Sequence, residues 1–244
     1  MKRILCIVIG LFMFCNLSAQ HKTLTLYYPG DSVNVVSIAD LDSMKIFICG
    51  ASKVSYGGKD YNTVLIGDQC WLKENLNVGT MLNGGTNSTE NGIIEKYCYG
   101  NDTTNCSTYG GLYQWQEAMQ YATNEGARGI CPEGWHIPTL AEFNTLSASV
   151  GGDGNSLKAV GQGIQPNGLG TNISGFSGLL AGNKEPYPGS YFIHLTLYGH
   201  FWSSSKDFNN NVDHLVLYYN SNAIVNHIGV FSTYGFNVRC IKDI

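Results

Sequence analysis

The cysteines constrain this chain more than any other feature. Eight occur in 244 residues: Cys6 and Cys15 within the first 19, and Cys49, Cys70, Cys98, Cys106, Cys131 and Cys240 beyond them. Residues 1–19 read as a secretory signal peptide. Lys2 and Arg3 give its positive start, Ile4 to Phe14 is an apolar run too short to span a ~30 Å bilayer core as a helix, and the small residues of Leu17-Ser18-Ala19 place cleavage after Ala19. Lipidation at Cys15 is disfavoured, because that chemistry wants a small residue just before the cysteine and Phe14 stands there. Cleavage leaves an even number of cysteines in an exported chain, which is the setting of a disulfide framework. None of the six is spaced C-x-x-C, which argues against zinc-ribbon and thioredoxin-type readings.

Charge narrows the function classes. Fourteen Lys+Arg stand against 18 Asp+Glu, a balance of −4. Losing Lys2 and Arg3 with the leader, and no acidic residue, moves it to −6. Charged residues make up 13% of the chain, about half the usual share of ~25%, while the hydrophobic class reaches 43%. Such a chain is too apolar and aromatic for disorder, and no basic run after residue 3 suits nucleic acid. No later window is long and apolar enough to cross a membrane, so the mature chain is expected to be soluble.

Residues 20–55 read as a short β module. Strands are expected over Leu24–Tyr28, Val33–Ile38 and Ile46–Cys49, separated by Pro29-Gly30 and by Asp40-Leu41-Asp42-Ser43. So few strands bury little surface alone, and the module is expected to dock on the main domain or on a partner. Ser52 to Lys59, with Gly57-Gly58 at its centre, reads as the linker, and the main domain as residues 58–244. That domain opens with a hairpin of Tyr61–Ile66 and Gln69–Leu72 around Gly67-Asp68. Residues 79–92 read as an exposed loop. Leu112, Trp115, Ala118, Met119 and Ala122 recur at helical spacing and predict a first helix. Thr139 and Glu142 form a capping box that opens a second, with Leu140, Phe143, Leu146 and Val150 as its buried stripe and Gly151-Gly152 as its stop. Residues 151–199 read as a long loop. Strands return over Phe201–Ser204, His214–Tyr219, Ala223–His227 and Phe236–Ile241. Trp71, Trp115, Trp135 and Trp202 read as core. Arg239, in an apolar strand, needs a buried carboxylate or carbonyl partner, and Glu142 and Glu74 both qualify.

Several strings occur together: Ile66-Gly67-Asp68-Gln69 with Trp71-Leu72-Lys73-Glu74-Asn75-Leu76, Tyr97-Cys98-Tyr99 with Cys106, and Tyr109-Gly110-Gly111-Leu112-Tyr113-Gln114-Trp115. Cys131-Pro132-Glu133-Gly134-Trp135-His136-Ile137-Pro138-Thr139, Phe201-Trp202-Ser203-Ser204 and Gly235-Phe236-Asn237-Val238-Arg239-Cys240 follow. In this order they resemble the Fibrobacter succinogenes major paralogous domain family, from Gly58 to Asp243. The resemblance implies an exported or surface-associated bacterial protein and no established activity. Gly134-Trp135-x-x-Pro138-Thr139-x-x-Glu142, a long loop and a Gly-Phe-x-Val-Arg strand are also similar to the C-type-lectin-like fold, in the branch of the formylglycine-generating, sulfatase-modifying proteins. Phe143 replaces that branch's usual tryptophan, and its copper-holding cysteine pair is matched here by Cys240 alone, so the resemblance implies the fold without the oxidase chemistry. The implied class is α+β: a lectin-like domain with two helices, a small antiparallel sheet and long loops, preceded by the β module. It also implies a Cys131–Cys240 disulfide. Cys98 and Cys106, close in sequence, form a second expected pair; Cys49 and Cys70 remain, and bridging them would pin the β module to the main domain.

Catalytic and metal signals are sparse. His21, His136, His194, His200, His214 and His227 show no H-x-x-H or H-E-x-x-H spacing. Asp153-Gly154-Asn155 begins like a calcium loop but lacks the remaining ligands, so no cofactor is expected and calcium is the one left open. Gln165-Pro166-Asn167 is similar to the sugar-binding triplet of C-type lectins but lacks its Trp-Asn-Asp companion and reads as a turn. No G-x-S-x-G, P-loop or G-x-G-x-x-G is present. The expectation is an exported, non-enzymatic lectin-like module binding a glycan or a surface-protein partner, in the periplasm, at the outer surface or in the medium. Asn183, Lys184, Glu185, Tyr187, Tyr191 and His194 are the candidate contacts, since tyrosine and asparagine join flat apolar area to hydrogen bonding. The alternative is a structural or assembly module whose N-terminal strands complete a partner's sheet; a hydrolase or oxidase is the third reading.

Overall fold

Strands dominate the chain and are sorted into two units, Met1–Phe47 and Ile48–Ile244. The computed structural model describes residues 4–8, 11–18, 23–27, 33–37, 47–187, 191–226 and 229–243. Lys2, Arg3, Ala19, His21, Tyr28, Ile38, Ile46 and His227, named above, lie outside them.

The first unit is an antiparallel meander of β1 (Ile4–Val8), β2 (Leu11–Ser18), β3 (Thr23–Tyr27) and β4 (Val33–Ser37). The strands expected near 24–28 and 33–38 are β3 and β4; the segment read as a leader carries β1 and β2. Of the strand expected at 46–49, the described residues 47–49 form none. Ile48 accepts from the amides of Ala51 and Ser52 (3.1 and 2.7 Å), which closes a turn through Cys49 and Gly50 instead.

The second unit is mixed α+β. One sheet, in the order β11-β18-β7-β6-β5, comprises β5 (Lys53–Tyr56), β6 (Lys59–Ile66), β7 (Gln69–Leu72), β11 (Trp135–His136) and β18 (Ile241–Lys242). The segment read as a linker is therefore β5. Gly57 and Gly58, at φ 57° and 78°, supply the paired left-handed conformations of a tight hairpin, and Val54 and Tyr56 pack on the core. A larger sheet runs β10-β17-β12-β14-β15-β16, with a further strand, β13, on β12. Its members are β10 (Tyr113–Gln114), β12 (Ala181–Lys184), β13 (Phe192–Leu195), β14 (Tyr198–Lys206), β15 (Val212–Tyr218), β16 (Ile224–Asn226) and β17 (Gly235–Phe236). The stretch read as loop over 79–92 opens with β8 (Thr80–Leu82), which pairs in parallel with β9 (Glu95–Tyr97). The single strand expected at 236–241 is split into β17 and β18, with an isolated bridge at Asn237 to Phe201 between them.

Among the described residues, four short α-helices stand where two were expected. α1 (Thr103–Tyr109) is capped by Asp102, whose side chain accepts from Thr104 N at 2.8 Å. α2 is only Trp115–Ala118. Leu112, Tyr113, Trp115, Ala118 and Met119 are all buried because this segment crosses the core, so helical spacing reflected enclosure rather than one apolar stripe; Gln120 and Tyr121, at φ 49° and 60°, end it. α3 (Leu140–Ser149) has the expected capping box: Glu142 N donates to Thr139 Oγ1 (3.1 Å) and Thr139 N to Glu142 Oε2 (2.7 Å). The stretch read as a long loop over 151–199 contains α4 (Gly154–Leu157), β12, β13 and the start of β14. Asp153 caps α4, accepting from Asn155 N and Ser156 Oγ, so its carboxylate is already committed. Gln165-Pro166-Asn167 forms a turn.

All three disulfides join the expected partners: Cys49–Cys70, Cys98–Cys106 and Cys131–Cys240. Cys49 belongs to the second unit, so its bridge closes that unit on itself rather than pinning the first.

Arg239 is fully buried between two apolar clusters, one around Trp115, Trp135, Trp202 and Phe236, the other around Trp71, Phe143, Phe176 and Phe201. Its Nε and Nη2 donate to Asn75 Oδ1 (3.1 and 2.7 Å), and its Nη1 to the carbonyls of Leu72 and Phe176. The guanidinium also lies over the rings of Phe176 and Phe201, at 4.4 and 5.6 Å. Neither carboxylate named for it makes these contacts. Glu74 holds Asn62, and Glu142 holds Thr139 and His136. Burial pushes the guanidinium down to about 9, still charged at neutral pH.

His136 sits between Glu142 (Nε2 to Oε1, 2.9 Å) and Asp243 (Nδ1 to Oδ1, 2.6 Å). The hydrogen bond to Glu142, reinforced by Asp243, raises its pKa above 6.5 despite burial. Burial raises Glu142, but its bonds from His136 and Thr139 together hold it below 4.5. The raised base stabilises the fold fully below 6.5 and loses that effect as pH climbs through its folded value; the lowered acid stabilises above 4.5 and loses it as pH falls through its folded value.

Two predictions follow from these ties. His136→Gln should lower the melting temperature more at about pH 5.5 than at about pH 8.5; equal losses at both would contradict the account. Arg239→Met orphans three buried acceptors, and thermal denaturation should show a loss on the order of 3–5 kcal/mol, about 10 °C in Tm; a change under about 2 °C would contradict it.

Candidate functional site

Side chains alternate between the two faces of a strand, and β14 and β15 use that alternation to separate core from cleft. Phe201, Leu215 and Leu217 face inward, onto Trp71, Phe143 and Phe176. Tyr198, His200 and Trp202 face the other way, in register with Tyr218, Val216 and His214 across the hairpin. Phe236 of β17 covers this second face, stacked on His200 (4.5 Å, 13° between planes) and packed against Trp202 and His214 at 4.3 and 4.8 Å. The result is a cleft of about 340 Å³, floored by Tyr198, His200, His214, Tyr218 and Phe236 and walled by Asn183, Glu185, His194, Val230 and Tyr234, while Trp202 stays in the core with its Nε1 donating to Tyr113 O at 2.7 Å. That size lies in the range of small-ligand pockets.

The wall depends on an unusual backbone. Gly182, at φ 65°, lets β13 close on β12: a Cβ there would lie 2.5 Å from the Ile193 carbonyl oxygen and 2.7 Å from Leu195 N. His194 and Thr196 also take left-handed conformations, at φ 67° and 65°, a strained choice for a β-branched threonine. This tight return places the His194 ring 4.6 Å from that of Tyr198, with its Nδ1 3.0 Å from Asn183 Oδ1. Tyr198 meets Tyr218 edge to face at 5.4 Å.

His200 lies against the face of the Phe236 ring. Its Nδ1 is enclosed and has no hydrogen-bond partner. Burial, with smaller contributions from His214 and His194, pushes its pKa well below 6.5, so it is a neutral imidazole. Burial and the neighbouring Tyr187 and Glu185 raise the Tyr234 hydroxyl.

Three of the six candidate contacts, Asn183, Glu185 and His194, line the cleft. Lys184, between two of them, takes the opposite face of β12; it is buried, with Nζ 4.9 Å from the Tyr97 ring centroid and 3.5 Å from Asn87 Oδ1. Tyr187 is exposed beyond the rim and meets Tyr234 edge to face at 6.4 Å. Tyr191 packs instead over Gly84 and Gly85. Sequence reasoning missed Tyr198, His200, His214 and Tyr218. Their signal is the period-two placing of polar rings in Tyr198-Gly199-His200 and His214-Leu215-Val216-Leu217-Tyr218.

Among the described residues, no group of three His, Cys, Asp or Glu side chains is placed to hold a metal ion, and no helix is long and apolar enough to cross a membrane.

The family model described as the Fibrobacter succinogenes major domain matches residues 64–242, a span that holds every residue lining the cleft. No curated protein and no solved structure matches the chain.

Histidine titration by NMR should separate the two buried environments. His136 should titrate above 6.5 and His200 well below it; a His200 that titrates at or above 6.5 would contradict the enclosed, neutral site.

Proposed function

The chain belongs to the Fibrobacter succinogenes major domain family, and on that footing we propose that it is an exported, non-enzymatic binding module whose lectin-like domain seats a glycan in this cleft. The observation that carries the reading is the Tyr198–Tyr218 pair, set between His194 and His200 with Asn183 and Glu185 at the wall. A sugar offers C–H faces for flat rings and hydroxyls for a few fixed polar groups, and an apolar cleft with sparse polar groups matches both. Among the described residues, Glu185 is the one carboxylate in the lining, whereas glycoside hydrolysis ordinarily uses two. The three disulfides suit an oxidising compartment, as the apolar leader does: periplasm, outer surface or medium. Support for the lectin-like fold comes from the capped α3 after Trp135 and Pro138 and from the Cys131–Cys240 bridge to the chain's end.

A second reading rests on the N-terminal unit. β2 pairs with β3 through Cys15↔Leu26, Asn16↔Thr25, Leu17↔Leu24 and Ser18↔Thr23. Cleavage after Ala19 would remove β2 and open that edge of β3 to a partner's strand.

A glycan array probed with residues 20–244 should return binders, and Tyr198→Ala should weaken them at least about tenfold by calorimetry, or ~1.4 kcal/mol. A blank array, with and without calcium, would overturn the reading.

A further inference from the structure

Charge in the cleft is one-sided. Among the described residues, Glu185 is the one acidic residue in the lining, and the histidines His194, His200 and His214 but no Lys or Arg accompany it. The tyrosine and phenylalanine rings present faces of negative potential, and a cation within about 6 Å of such a face is attracted to it. Elsewhere the chain satisfies this attraction internally. Lys59 lies over Tyr61, Lys184 over Tyr97, Lys206 over Trp115 and Arg239 over Phe176, at 5.2, 4.9, 4.4 and 4.4 Å. Among the described residues, no Lys or Arg of the chain is so placed over Tyr198, Tyr218, Tyr234 or Phe236. His200 supplies no positive charge, because burial keeps it neutral, and its enclosed Nδ1 still wants a partner.

We propose that the cleft selects a ligand bearing an alkylammonium group, with Glu185 as counter-ion and the Tyr198, Tyr218 and Tyr234 rings around it. Within the glycan reading, on which this rests, the ligand is an unacetylated amino sugar. The same chemistry occurs in quaternary ammonium headgroups, so the test carries an arm for each. An anionic sugar such as a uronic acid is disfavoured by the same carboxylate and ring faces.

Calorimetry on residues 20–244 at about pH 6 compares a glucosamine oligosaccharide, the glucose oligosaccharide of the same linkage, and choline; the neighbouring oxygens make an amino sugar's amine far less basic than a lysine's, and the mildly acid buffer keeps it largely protonated. Wild type should bind the glucosamine oligomer at least about tenfold more tightly than its neutral counterpart, and in Glu185→Gln the ratio of the two affinities should fall to about one. Glu185 is not fully enclosed, so the variant is expected to fold, and its circular dichroism should match wild type. Equal affinities for the two oligomers would overturn the inference and leave the glycan reading standing. A preference that survives in Glu185→Gln would overturn it as well. Choline binding that Glu185→Gln removes, with neither oligomer bound, would support the ammonium site and end the glycan reading. No binding of any of the three would overturn both.

Discussion

The second unit is organised around a buried guanidinium. Arg239 joins the end of β7 at Leu72 and the nearby Asn75 side chain to the Phe176 carbonyl and the Phe201 ring of β14, and so ties its own segment to three other stretches of the chain. Its chain neighbour Cys240 is bonded to Cys131, ahead of α3. Asn75 passes the tie onward, donating to Tyr109 O at the end of α1. A buried charge is tolerated only when its donors are satisfied, and of the carboxylate and carbonyl partners expected for it the carbonyls serve, with an amide oxygen and ring faces beside them. Phe201 is thereby held inward, and strand alternation turns His200 toward the cleft.

Lys158 repeats the device. It is fully buried, and its ammonium donates to the carbonyls of Gly168, Tyr218 and Ser221, while burial pushes its pKa down to about 8. These bonds fasten the glycine-rich segment after α4 to the end of β15, where Tyr218 enters the cleft. Gly168 allows that approach, since a Cβ there would lie 1.9 Å from the Tyr219 carbonyl oxygen. The low charged fraction thus acquires a structural meaning. Several of the few cations are interior fasteners, and the cleft, with Glu185 alone, is left without one.

Much of this could be read from the sequence wherever the chemistry is local. The capping box of α3, the Gly67-Asp68 hairpin and the tryptophan core depend on neighbouring residues and appear as expected. Long-range burial defeated the rest. The helical spacing from Leu112 to Ala122 arose from a segment enclosed on every side, so periodicity lost its meaning there. Lys53–Tyr56 looked like a linker because an edge strand needs few apolar residues, and Gly57-Gly58 served a hairpin rather than a hinge. The site was half legible. Asn183, Glu185 and His194 were singled out for their residue types, but Lys184 faces away because β12 alternates, Tyr198 was lost within a presumed loop over 151–199, and His200 fell between that loop and the strand expected from Phe201. The left-handed conformations of His194 and Thr196, which shape the wall, leave no mark in composition.

The central claim is that the outward face of the β14–β15 hairpin is a recognition surface. A crystal structure of residues 20–244 grown with a glycan that it binds tests this most directly. The account predicts a ring of the ligand against Tyr198 and Tyr218, with a polar group within hydrogen-bond reach of Glu185. A ligand seated instead over Lys59, Lys73 and Tyr109, or on Tyr191 beside Gly84 and Gly85, would contradict it.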